Sequence, residues 1–192
     1  MISEALIFLK NHLNEHLSAQ AGMILDDSGE DKVVFVDGEK LDPISFKLGA
    51  VTTLLINVEE EKTLRPADPY VRVSEDGVRQ RVAPEIRLNL HVLFVARFKR
   101  YEHGLAYLSR IIAHFQAHRV LDHHNAPALG DRLERLIMEL TTLSFAEQNE
   151  VWNALRTTYH PSVLYRVKLV AFRDDPAIRT PEVVDKQLEV SP

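Results

Sequence analysis

The stretch Ile86–Phe98, IRLNLHVLFVARF, is the clearest strand in the sequence. Ile86, Leu88, Leu90, Val92, Phe94 and Phe98 share one parity, and Arg87, Asn89, His91 and Arg97 share the other. Strand side chains point to opposite faces in turn. The spacing therefore predicts a strand with one face against a helix and the other against solvent or another subunit. The period then changes: over Tyr101–Ala117, Leu105, Leu108, Ile111, Ile112 and Phe115 form the apolar stripe of a helix.

Working outward, the N-terminal ISEALIFLKNHLNEHL reads as a helix with Ser3 as its cap. Ile2, Ala5, Leu6, Leu9, Leu13 and Leu17 pack, and Lys10, Asn14 and Glu15 stay wet. A short strand is expected over Lys32–Val36, followed by an Asp37-Gly38 turn, and a β-branched strand buried on both faces over Val51–Val58. Residues 59–84 lose all period and read as an inserted loop or hairpin. On the C-terminal side, HRVLDHHNAPALG reads as a connection and RLERLIMELTTL as a strand, through the alternation of Leu136, Met138 and Leu140. Ser144 and Glu147 form a capping box that starts a helix running to about Arg156. Pro161 cannot continue it, and SVLYRVKLVAF is a last strand. Residues 1–172 are expected to form a single domain and 173–192 an extended arm. The fold class is α+β (mixed α/β): one sheet of about four to six strands with helices packed on one face.

With 192 residues, 45% hydrophobic and 27% charged, the chain can bury one sizeable core. A net charge of -5 does not favour a nucleic acid as partner. No segment is apolar over the ~20 residues a membrane helix requires, so no membrane is expected, and the N-terminus does not read as a signal peptide. There is no cysteine, which removes disulfides, thiol nucleophiles and cysteine-based metal sites.

Familiar catalytic patterns are missing as well. The sequence lacks G-x-S-x-G, a P-loop and G-x-G-x-x-G. In DDSGEDK, Gly29 is misplaced for a calcium loop. Among nine histidines, His114 and His118 lie four apart on the expected helix, with His123 and His124 close behind. They fit a small metal-binding protein or enzyme as a competing reading, but no H-E-x-x-H pattern supports it. No enzyme activity, cofactor or metal is expected.

The stretch EQNEVWNALRTTYHPSVLYRV, Glu147–Val167, joins a helix bearing the only tryptophan to a proline turn and a strand. Trp152 is read as a core anchor, Tyr159 and Tyr165 as core or interface residues, and His160 as the helix end before Pro161. Together with ISEALIFLKNHLNEHL, LLINVEEEKTLR and RLNLHVLFVARFKRYEHGLAYLSRIIAHFQ, it resembles the N-terminal domain of cap, or tail-terminator, proteins of extracellular contractile injection systems. The resemblance covers about residues 1–172. It implies a tail-terminator-like fold and a hexameric ring of this chain on the last layer of inner tube and sheath. Assembly would be cytoplasmic, in a particle that is later released. Longer relatives carry a further C-terminal domain. A tail-completion or adaptor protein of a phage shares the same logic. The interface is expected in the insertion and the arm, at Glu59, Glu60, Glu61, Arg65, Arg72, Arg79, Arg173, Asp174, Asp175 and Arg179.

Overall fold

A computed structural model describes residues 1–19, 31–38, 44–61, 71–73, 79–81, 87–171 and 178–179. Strand β5 (Arg87–Arg97), the alternating stretch, lies inside a six-stranded sheet. The order is β1 (Val33–Phe35), β2 (Ala50–Glu60), β5, β8 (Ser162–Ala171), β7 (Leu133–Thr141), β6 (Val120–Asp122). β1 runs parallel to β2, and every other neighbouring pair is antiparallel.

The even-numbered residues of β5 meet the long helices. Leu90, Val92, Phe94 and Ala96 join one cluster with Leu9 and Leu13 of α1 (Ile2–Ala19) and Ile111 and Phe115 of α2 (Tyr101–Ala117). Phe94, Phe115 and Tyr165 pack there tilted or edge-on, with ring centroids 5.1–6.1 Å apart. The other face is not wholly polar. Leu93 and Val95 form a second cluster with Phe46, Leu164 and Trp152 of α3 (Phe145–Ala154). So α1 and α2 share one face as expected, and the short α3 covers half of the opposite one.

Several local expectations change. The first helix begins at Ile2, with the Ala5 N–H donating to the Met1 carbonyl, so Ser3 lies inside it and does not cap it. Asn14, expected in water, is only 9% exposed. Its Nδ2 donates to the Val33 carbonyl and its Oδ1 accepts from the Val33 N–H, both at 2.8 Å. The amide thus occupies the hydrogen-bonding groups that edge strand β1 turns away from β2. On α2, Leu105 is exposed, while Tyr107 and His114 take places in the buried stripe. β2 is fully buried only from Ala50 to Thr53 and ends exposed. The supposed connection after α2 contains β6, whose Leu121 is buried against the main cluster.

Other expectations appear directly. Residues 133–141 form a strand, and the capping box is present, with the Ser144 N–H donating to Glu147 Oε2 at 2.8 Å and the Glu147 N–H donating to Ser144 Oγ at 3.3 Å. α3 stops before Arg156 because that residue adopts a left-handed φ of 52°. A second sheet of three short strands has the order β3 (Val71–Val73), β4 (Arg79–Arg81), β9 (Ile178–Arg179).

Candidate assembly surface

Directly opposed strand residues share a face, so the register maps the sheet surface away from α1 and α2. It divides in two. One half is apolar and lies under α3: Trp152, 5% exposed, meets Phe46 edge-on at 6.1 Å, His160 at 6.1 Å and Tyr159 at 5.5 Å. His160 therefore does more than end the segment. It also packs edge-on against Phe46 at 5.5 Å, and burial, then Arg97, pushes its pKa down. Trp152 anchors this core, Tyr165 belongs to the main one, and Tyr159 is 56% exposed.

The other half is polar, and no helix among the described residues covers it. Across it the register sets Glu59 against Asn89, Asn57 against His91, His91 against Arg166, and Arg166 against Glu139. Glu139 accepts from Lys168 Nζ at 2.9 Å and Arg119 Nη2 at 3.1 Å, with Arg166 Nε at 3.9 Å. Burial by itself would raise the Glu139 carboxyl, but the hydrogen bond and charge of Lys168, with Arg119 and Arg166, hold it below the usual range. His91 Nε2 lies 3.3 Å from Glu59, Asn57 Nδ2 donates to Glu59 at 3.2 Å, and Asn89 Nδ2 donates to Glu61 at 3.1 Å. A carboxylate kept ionised by three cations is a poor proton donor, so this belt suits charge recognition better than acid–base chemistry. The belt is only partly exposed, with the His91 and Glu139 side chains at 17% and 21%, and desolvation offsets much of the attraction within its pairs. Among the described residues, no group of three or more His, Asp or Glu side chains is set to hold a metal ion. His123 Nε2 instead meets the Leu133 carbonyl at 2.8 Å, and the His124 N–H donates to Asp122.

Residues 6–186 match the family described as the Pvc16 N-terminal domain. The chain belongs to that family. No curated protein sequence matches it. Two solved structures share the fold. One is a sheath/tube terminator, in its extended state, of the extracellular contractile injection system PVC (15% identity, TM-score 0.52, 96% of this chain and 65% of that one). The other is the tube-terminating cap of the anti-feeding prophage (15% identity, TM-score 0.50, 96% and 63%). The chain thus spans a little under two thirds of each of these proteins.

In this Pvc16 N-terminal domain, the expected interface residues separate. Glu59 and Glu60 end β2 on the exposed sheet edge, and Glu61 follows them. Arg72, Arg79 and Arg179 lie on the three strands of the small sheet: Arg72 opposes Gln80, Arg79 opposes Val73, and Arg179 opposes Gln80. That pairing, Gln80 with Arg179 and Arg81 with Ile178, brings a strand of the insertion beside one from the distant C-terminal segment, a juxtaposition absent from the sequence expectations. Arg65, Arg173, Asp174 and Asp175 fall outside the described residues. The sequence reading also passed over Glu139, Arg166 and Lys168. Their signal was present: in SVLYRVKLVAF, Arg166 and Lys168 alternate with Tyr165, Val167 and Leu169.

Proposed function

We propose that this chain caps a contractile, phage-tail-like injection particle, as a hexameric ring that ends its inner tube and sheath. Membership of the Pvc16 N-terminal domain family over residues 6–186 is the observation that carries this reading. The likeness of fold to a sheath/tube terminator and a tube-terminating cap supports it. The role is structural and requires no turnover of a small molecule.

Two surfaces serve the assembly in this reading. The charged half-face of Glu59, His91, Glu139, Arg166 and Lys168 supplies paired charges of both signs, which favour one docking register over others. The small sheet of β3, β4 and β9 carries the arginines of the insertion and C-terminal segments toward neighbouring subunits, sheath or tube. The particle is assembled in the cytoplasm and released with the cap in place. Gold labelling of a tagged chain in purified particles tests this directly. Label at one end of the tube is expected; label along the tube, or none, would refute it.

A further inference from the structure

Between α1 and α2 four imidazoles meet. His12 and His16 stand four residues apart on α1 and turn to one flank, while His114 lies in the last turn of α2 and His118 caps its end, its N–H donating to the His114 carbonyl. His12 Nε2 lies 2.9 Å from His114 Nε2. The His114 ring is centred 4.0 Å from His16 and 4.8 Å from His118, and Phe8 stacks on His12 at 5.3 Å. His114 is 6% exposed, and its Nδ1 is buried with no hydrogen-bond partner.

This contact depends on proton count. Two imidazole nitrogens at 2.9 Å form a hydrogen bond only when one carries a proton and the other a lone pair. If both rings are cations, both nitrogens are donors, and like charges stand in contact. Among the described residues, few counter-charges act on the seam. Glu15 of α1 raises His12, while Arg110 of α2 is a permanent cation that lowers His16. The remaining groups acting there are the four rings themselves.

We propose that the seam is an acid-sensitive latch: mild acidification charges His12, His16 and His114, frees α1 from α2, and withdraws the Asn14 amide that closes the edge of β1. Burial, followed by the neighbouring rings, lowers His114 from 6.5 to about 3, and burial also lowers His12 and His16. A proton therefore favours the open state. The closed seam has its full stability above pH 6.5 and loses it as pH falls below that value toward the lowered pKa. Opening at pH 5 is favoured roughly 30-fold by His114 alone, with further factors from His12 and His16.

Amide hydrogen exchange of the full chain at pH 7.5 and pH 5.0, corrected for the intrinsic rate, reads the opening constant of each segment. Peptides from α1 are expected to open at least ~30-fold more at the lower pH, while β8 peptides and Trp152 fluorescence stay unchanged. The double variant His12→Gln, His114→Gln is expected to lose most of that rise, because an amide replaces each ring without titrating. Unchanged α1 protection, equal loosening of α1 and β8, or a double variant that keeps the full rise would each overturn the proposal. If the double variant does not fold, the wild-type pH series decides alone.

Discussion

Asn14 stands where helical periodicity places a wet residue, yet its amide makes both hydrogen bonds that Val33 offers. Removing it leaves a buried donor and acceptor unmet, at about 1–3 kcal/mol for each orphaned group. Asn14→Ala is therefore expected to destabilise by about 2–4 kcal/mol in urea unfolding. A cost under ~0.5 kcal/mol, typical of surface positions, would show that the amide closes nothing. Trp152 was legible as an anchor because large aromatics dominate core energetics, and it sits 5% exposed. Trp152→Ala is expected to cost on the order of 3–5 kcal/mol. Unchanged melting with lost assembly would instead make it an interface residue. Asn14 and the histidine seam were not legible, since their partners lie 19 and 102 residues away and local period carries no such information.

At the scale of elements, β5, α2, β7 and β8 were readable because each has enough residues to display its period. Three-residue strands fare unevenly: β1 falls within the strand expected over Lys32–Val36, whereas β6 reads as a connection and only pairing with β7 makes it a strand. α3 was found by its capping box, but not the face it would cover. Its apolar side is nearly Trp152 alone, and the matching patch of Phe46, Leu93 and Val95 comes from distant segments. Such a short helix with one buried residue depends heavily on its cap. Ser144→Ala is expected to cost about 1 kcal/mol, read from chemical unfolding, with Trp152 fluorescence reporting the loosening of α3. An unaffected midpoint would mean that packing alone holds it.

For the whole molecule, one sheet face divides into an apolar half under α3 and a charged half that no helix among the described residues covers, which is the surface proposed for assembly. Arg166→Glu with Lys168→Glu places three carboxylates around one point, next to Glu139. Because Glu139 is only 21% exposed, the variant should also lose roughly 1–3 kcal/mol of stability, so incorporation is read on protein shown to be folded. Incorporation into particles should drop sharply, as like charges in a docking register are costly. Normal incorporation of this double variant would remove the charged half-face from the interface. The capping role itself is tested most directly by electron microscopy of particles produced without this chain. Tubes of uncontrolled length with an unclosed end are expected, restored to uniform length when the chain is supplied again. Particles of normal length, closed at both ends in its absence, would contradict the role proposed for it.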